Sequence, residues 1–393
     1  RVINVGIVGL GMAGSGIVPS IVSMPNTNLA GAADVNRSSL ESFREKYGTR
    51  TYATVEEICA DPEIDALWIA TPNVYHCPHT VMAAEHGKHV IIEKPMAISL
   101  DEARTMIDAC VRNGVHLVCG GSRSSSAVVQ KMREVVRSGQ LGRLRALTSW
   151  AATDWMLRPR RADEYDLAYG GGVAFRQSPH MVDSCRLIAG GLVKRVRGVT
   201  GAWMPPRNTA PGFYSAILEF EDGVFATCVY DSYGYFMASE LFEPGQAGPD
   251  ALQLEQRIEA RRQIVSGGRD EIAAKEQRII DSHRPEAPRR SGSSFLADLG
   301  LFVVSCEHGE IRQSPNGIFI YGDDGTVEVP LTEARGHSPE LTELYEAIVN
   351  DRPLLHGGRW GLATLEVSIA IMDSAREHRD IEMQHQVPVP DWA

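Results

Sequence analysis

The chain has 393 residues, 43% of them hydrophobic and 23% charged, the balance of a soluble globular protein. That length points to two domains, because single cores stop growing near roughly 250–300 residues. A formal net charge of −11 argues against general binding to nucleic acid or to an anionic membrane. No apolar run has the length of a bilayer span.

In chain order, residues 2–8 read as a buried strand, 14–23 as a helix and 29–35 as a second strand. Further strands follow at 66–70, 89–92 and 116–119, with a helix at 78–86. Strands alternating with helices imply a parallel sheet covered by helices, an α/β Rossmann domain over 1–123. From 124 to 393 the pattern changes to α+β with a large open, mostly antiparallel sheet. Its strands are read at 143–153, 195–204, 214–220, 224–230, 317–321 and 326–330, and a helix at 181–189. Glu221-Asp222-Gly223 marks one hairpin. An Arg-, Glu- and Gln-rich insert at about 246–294 carries helices at 251–263 and 270–282. It reads equally as a lid, an oligomer contact or a solvated excursion. Amphipathic helices at 339–350 and 362–378 end the chain, the second suited to pack back on the first domain.

The 7 cysteines are scattered without a CxxC pair, so they do not form a disulfide framework. With a strand pattern starting at Arg1 and no leader ahead of it, the expectation is a reduced, cytoplasmic protein.

Gly9-Leu10-Gly11-Met12-Ala13-Gly14 is a GxGxxG motif between an apolar strand and a helix, the context that gives it meaning. Gly9 allows the tight turn, Gly11 the approach of a pyrophosphate, and Gly14 close helix–strand packing. Met12 and Ala13 place their backbone at the helix N-terminus, where N–H groups face phosphates. Asp34 ends the second strand, where an acid grips the adenosine ribose. The expected cofactor is therefore NAD in preference to NADP, although Arg37 lies close enough to meet a 2′-phosphate. Thr71-Pro72-Asn73 follows the strand at 66–70, at the carboxyl edge where open α/β sheets bind ligands. His76, Cys77 and His79 lack partners spaced to complete a metal site, so no metal is expected. His76 is instead read as facing the cleft. Glu93-Lys94-Pro95 ends the next strand. A lysine beside a substrate hydroxyl and a cationic nicotinamide has its charged form disfavoured and so suits acid–base work.

These residues, followed by Gly170-Gly171-Gly172, His180 and Asp183, resemble the glucose–fructose oxidoreductase / inositol dehydrogenase / rhizopine-catabolism (Gfo/Idh/MocA) family over nearly the whole chain. The resemblance implies Lys94 and His180 as the catalytic pair and a homodimer or homotetramer formed through the second domain's sheet. It departs at Arg176, four residues before His180, where the family usually has an aspartate. Arginine is no base, but its planar fork suits a carboxylate. Arg158, Arg160, Arg161 and Arg207 gather in the same domain, with Trp155 beside them. The expected substrate is thus a small anionic molecule held by Arg176, Gln177, His180, Asp183, Trp155, Arg158, Arg160 and Arg207, with Asp183 orienting His180. The stretch from Arg158 to Asp183 is similar to a branch that includes phthalate 4,5-cis-dihydrodiol dehydrogenase. This implies oxidation of a ring alcohol in a carboxylated cis-dihydrodiol, with the product gaining aromaticity. Two alternatives stand beside it. One is a dehydrogenase of a sugar, sugar acid or glycoside. The other is a nucleotide-binding sensor, disfavoured because Lys94 and His180 are kept and no helix-turn-helix or basic arm is present.

Overall fold

A computed structural model describes residues 1–120, 123–241, 251–282, 300–332 and 338–392. The expected insert stretches 246–250 and 283–294 lie outside the described residues. Two compact units emerge: Arg1–Gly121 with Ala334–Leu365 and Pro390–Ala393, and Ser122–Glu333 with Glu366–Val389. Helix Pro339–Asn350 therefore belongs to the first unit, and the division falls inside helix Gly358–Glu377.

The first unit is built on strands β1 (Ile3–Val8), β2 (Thr27–Ala33), β3 (Arg50–Tyr52), β4 (Ala66–Ile69), β5 (His89–Ile92) and β6 (Leu117–Cys119). All pairings are parallel, in the order β3-β2-β1-β4-β5-β6. Every residue of β4 is buried, as a sheet covered on both faces requires. Helices α1 (Met12–Ser23), α2 (Arg37–Tyr47), α3 (Val55–Ala60), α4 (His76–Glu85) and α5 (Leu100–Arg112) connect the strands. Side chains cap several of them: Asn36 accepts from Ser38 and Ser39 N–H at α2, and Thr54 with Glu57 forms a capping box at α3. The strand order reverses between β1 and β4, so the crevice at their carboxyl ends is the topological switch point.

The second unit holds β7 (Leu144–Ala152), β8 (Val193–Gly201), β9 (Phe213–Phe220), β10 (Phe225–Asp231), β11 (Leu301–Cys306), β12 (Gly309–Gln313), β13 (Gly317–Gly322), β14 (Gly325–Pro330) and β15 (Ile381–Glu382). They form one sheet, β14-β13-β12-β11-β7-β10-β9-β8-β15, antiparallel except for β7 beside β10. The alternation along β9 buries Tyr214, Ala216, Leu218 and Phe220. Helices α6 (Ala127–Ser138) and α8 (Ser178–Ile188), the latter preceded by the short α7 (Val173–Arg176), pack against this sheet. Ile371 backbone comes so close to Gly198 that an added Cβ would lie 2.6 Å from the Ile371 carbonyl oxygen. Val199, Ile217, Phe225 and Val327 remain exposed on the sheet strands. Helices α9 (Ala251–Ser266) and α10 (Glu271–Ser282) form the described part of the insert. All 7 cysteines are free thiols. No helix among the described residues is long and apolar enough to cross a membrane.

Candidate active site

The strand ends of the first unit hold the expected cofactor residues in one row. Gly9 N–H donates to Ala33 O at 2.8 Å, Ala70 N–H to Val8 O at 2.8 Å, and Glu93 N–H to Ile69 O at 3.0 Å. The Gly9 turn, the Thr71 loop and Glu93-Lys94 thereby share the carboxyl edge of the sheet. At Gly14 an added Cβ would fall 1.9 Å from Gly9 O, so only glycine lets α1 start this close to the turn. At Gly11 an added Cβ would meet nothing within 4 Å, and no side chain caps α1 there. Open space over bare helix N–H groups is what a pyrophosphate needs, so the residues fit NAD. Asp34 is half-buried; its Oδ2 accepts from Leu10 N–H at 2.6 Å and its Oδ1 from Asn36 N–H at 2.8 Å. A carboxylate offers about four acceptor positions, which leaves lone pairs for ribose hydroxyls. Arg37 is exposed at the start of α2. Asp34→Ala is expected to raise the KM for NAD roughly tenfold while NADP loses less, the cost of one charge-assisted hydrogen bond pair. Steady-state kinetics with both cofactors checks this, and an unchanged NAD/NADP ratio would remove the ribose assignment.

At the Lys94 end, His76 is 1% exposed rather than cleft-facing. Its Nδ1 lies 2.9 Å from Pro95 O and its Nε2 2.9 Å from Thr71 O. The imidazole thus ties the loop after β4 to the segment after Lys94, where the Lys94-Pro95 bond is cis. Asn73 is buried at the start of a short 3₁₀ turn. Thr71 Oγ1 lies 3.2 Å from His79 Nδ1, and Cys77 Sγ donates to Glu102 O. Trp68 Nε1 donates to Glu93 Oε1 at 3.2 Å. Burial pushes the Glu93 carboxyl up, against the neighbouring Lys94 charge, which pulls it down.

Lys94 belongs to the first unit and His180 to the second. His180 sits half-buried in the first turn of α8, after Gln177, whose Oε1 accepts from Tyr230 OH at 3.5 Å. Asp183 is 4% exposed on the same helix and acts on Arg186, which burial pushes down to about 10 against the pull of Asp183 and Glu366. Arg186 is itself fully buried and bonds Gln386 Oε1 at 3.0 Å.

The arginines expected around the substrate do come together, on carboxylates the sequence did not single out. Glu164, 4% exposed, accepts from Arg160 at 3.0 Å, from Arg161 N–H at 2.8 Å and from Lys275 of α10; Arg176 Nη2 lies 3.9 Å away. Burial pushes the Glu164 carboxyl up, but Arg160, Lys275 and Arg176 outweigh it and hold it at about 2. Burial works against the Arg176 charge and Glu164 works for it. Glu271, the first residue of α10, pairs with Arg207 and with Arg269 at 3.2 Å and accepts from Arg160 N–H at 3.0 Å. Arg207 is 5% exposed and also donates to Met156 O and to Arg158 O. Arg158 pairs with Asp154 at 2.9 Å. Trp155 is 1% exposed, with the Arg160 guanidinium 4.0 Å over its ring. Trp155 and Arg207 therefore sit inside the packing that holds the loop, with their contacts supplied by the protein. Lys275 and Glu271 escaped the sequence reading because their partners Glu164, Arg160 and Arg207 lie 64 to 111 positions away. Glu164 itself was within reach: it stands four residues after Arg160, the spacing of a local ion pair.

The profile of the GFO/IDH/MocA oxidoreductase family, NAD-binding Rossmann fold, matches residues 3–120, and that of the family's C-terminal domain matches residues 129–238. The 1-carboxy-3-chloro-3,4-dihydroxycyclohexa-1,5-diene dehydrogenase of Comamonas testosteroni is 30% identical over 389 residues, which cover 95% of both chains. A solved protein from Bordetella bronchiseptica RB50 superposes with a TM-score of 0.88 at 37% identity, over 98% of this chain and 100% of its own. The WlbA dehydrogenase of Bordetella pertussis, solved with NADH and UDP-GlcNAcA, shares the fold at a TM-score of 0.72 and 20% identity, over 98% of this chain and 99% of its own. The first unit is an NAD-binding Rossmann domain, and the chain is an oxidoreductase of the Gfo/Idh/MocA family.

Proposed function

We propose that the protein oxidises a ring alcohol in a carboxylated cis-dihydrodiol, with cis-4,5-dihydro-4,5-dihydroxyphthalate going to 4,5-dihydroxyphthalate as the reading of first choice. The observation that carries it is the end-to-end relationship to the Comamonas testosteroni diene-diol dehydrogenase, whose named substrate bears a carboxyl group on a dihydroxylated cyclohexadiene ring. Arg176, in place of the usual acid ahead of His180, supports an anionic substrate over a neutral polyol.

Gly9–Gly14 and Asp34 would hold NAD, which when bound takes the hydride from the ring carbon. Lys94 and His180 are assigned to hold the hydroxyl and accept its proton as the carbonyl forms. The keto product then tautomerises to a catechol, so aromatisation drives the oxidation and the protein supplies positioning and one proton acceptor. Arg176 would position a ring carboxylate, with Glu164 behind it fixing the guanidinium. The exposed apolar residues of the second sheet, Val199, Ile217 and Phe225, support assembly into a homodimer or homotetramer.

The test is NADH formation with the phthalate cis-dihydrodiol, its monocarboxylated and uncharged analogues, inositol and sugar acids. Turnover of carboxylated diols above all others supports the reading. Preference for a sugar acid replaces it, and tight NAD binding with no turnover favours a sensor. Arg176→Ala is expected to lower kcat/KM for the carboxylated diol by about 10–100-fold, the worth of a charged hydrogen-bond pair. The uncharged analogue should change little; equal losses for both would show that Arg176 does not read a carboxylate.

A further inference from the structure

The second unit contains a cavity of about 450 Å³, within the size range of small-molecule sites. Its wall joins three parts of the chain: Arg160, Arg161 and Tyr165 from one loop, Arg207 from another, and Ile264, Arg269 and Ile272 from the insert. Four guanidinium groups and two carboxylates, Asp163 and Glu271, therefore meet an aromatic and two aliphatic side chains. The balance of charge around them is positive. Among the described residues, Arg158 pairs with Asp154, Arg161 with Asp163, Arg160, Arg176 and Lys275 with Glu164, and Arg207 and Arg269 with Glu271, seven cations on four carboxylates, with Arg278 close enough to feel Arg158, Arg160 and Asp154. In a chain of net charge −11 this local excess favours an anion. Burial and the neighbouring cations Arg158 and Arg160 push Arg278 down to about 10.

Behind the lining lie donors without a hydrogen-bond partner among the described residues. Tyr165 is 6% exposed and its OH is buried in this state, as are Arg160 Nε and Arg269 Nε. Arg269 spends its other nitrogens on Leu157 O and Glu271, and Arg207 lies over the Tyr165 ring at 4.8 Å. Native proteins satisfy nearly all buried donors; these atoms lie behind the wall, so they leave it donor-rich and electropositive without themselves touching a ligand.

We propose that this cavity binds a small ring carboxylate, with the acid on the Arg160–Arg161–Arg269 side and the ring against Tyr165, Ile264 and Ile272. The insert is then the element that completes an anion site within the second unit. The inference does not rest on the proposed reaction: an acid that is never oxidised binds here equally, and it does so without NAD.

The probe is phthalate, titrated calorimetrically into the NAD-free full chain, with neutral phthalamide as its isostere. Ile272 is 64% exposed on the cavity wall, so charge can be placed there without disturbing the core. Phthalate is expected to bind saturably and phthalamide at least about tenfold more weakly. Both Ile272→Glu and Ile272→Lys lose the same aliphatic contact, so their difference reads charge alone: Ile272→Glu should bind phthalate at least about tenfold more weakly than Ile272→Lys, with circular dichroism unchanged in both; tenfold is the effect of roughly one screened charge at this range. Absence of saturable binding overturns the proposal. So does an equal response of the two variants, which would place phthalate elsewhere. Because turnover plays no part in this readout, diol oxidation can fail while the site stands, and the reverse result is equally distinct.

Discussion

Replacing Lys94 with alanine is expected to lower the rate of hydride transfer by about 10²–10⁴-fold while NAD binding changes little. Lys94 follows β5 at the carboxyl edge of the first sheet, in the same row as the Gly9 turn. Its neighbours hold the backbone on both sides: Glu93 through Ile69 O and Trp68, and Pro95 through His76. Removing the side chain leaves those backbone contacts in place and takes away the amine with its aliphatic stem. The residues assigned to the dinucleotide, Gly9–Gly14 and Asp34, have their own contacts with β2 and the 10–11 turn. Single-turnover NADH formation measures the chemical step, and fluorescence titration with NADH measures binding. A variant that keeps its rate within a few-fold would take the proton-handling role away from Lys94. A parallel loss of NADH binding would assign it to the cofactor instead.

Glu164→Ala is expected to destabilise the second unit by about 3–5 kcal/mol, the usual cost of removing one partner from a buried ion pair. Glu164 is 4% exposed and is shared by Arg160 and Lys275, with Arg176 at 3.9 Å. Without it, three cations remain in a poorly solvated place with one fewer carboxylate. The dependence on pH has a definite sign. Burial raises this carboxyl and the three cations lower it further, to about 2 from an ordinary 4.5. A depressed folded-state value means that the stabilisation is complete above about 4.5 and is lost as pH falls from there towards 2. Denaturant unfolding at pH 7 should therefore show the full difference between wild type and Glu164→Ala, and the difference should shrink through the acid window. A cost below about 1 kcal/mol at pH 7, or a difference independent of pH, would demote Glu164 from hub to bystander.

The same hub changes the meaning of the arginines. Read along the chain, Arg158, Arg160 and Arg207 are candidate substrate contacts. In three dimensions each is already engaged: Arg158 by Asp154, Arg160 by Glu164 and Trp155, and Arg207 by Glu271 and two carbonyl oxygens. Their sum still leaves net positive charge around the cavity, and that excess, with the insert residues in its wall, is what the proposed anion site rests on. Lys275 and Glu271 reach back more than a hundred positions to Glu164 and Arg160.

Local chemistry made much of the protein legible beforehand. The buried run before Gly9, the glycine spacing up to Gly14 and the acid at Asp34 are short-range features, each set by a turn, a helix start or a strand end, and the parallel sheet appears where they put it. The hairpin at Glu221–Gly223 and the two insert helices were equally local. Strands β11 and β12 are not legible in the sequence, because β11 follows the insert and pairs with β7, about 150 positions earlier, and β12 is placed by folding back on β11. Along the chain His76 reads as a cleft residue, because a histidine's spacing says nothing of the two carbonyl oxygens that enclose its ring. Sequence by itself determined the Rossmann fold, the cofactor class and the family, since those depend on backbone conformation within a few residues. Only the tertiary structure decided that Lys275 is spent on Glu164 and Arg207 on Glu271, and that Glu164 and Arg207 are buried, because burial and the distance in space between such remote positions are not written in the spacing of charges along a chain.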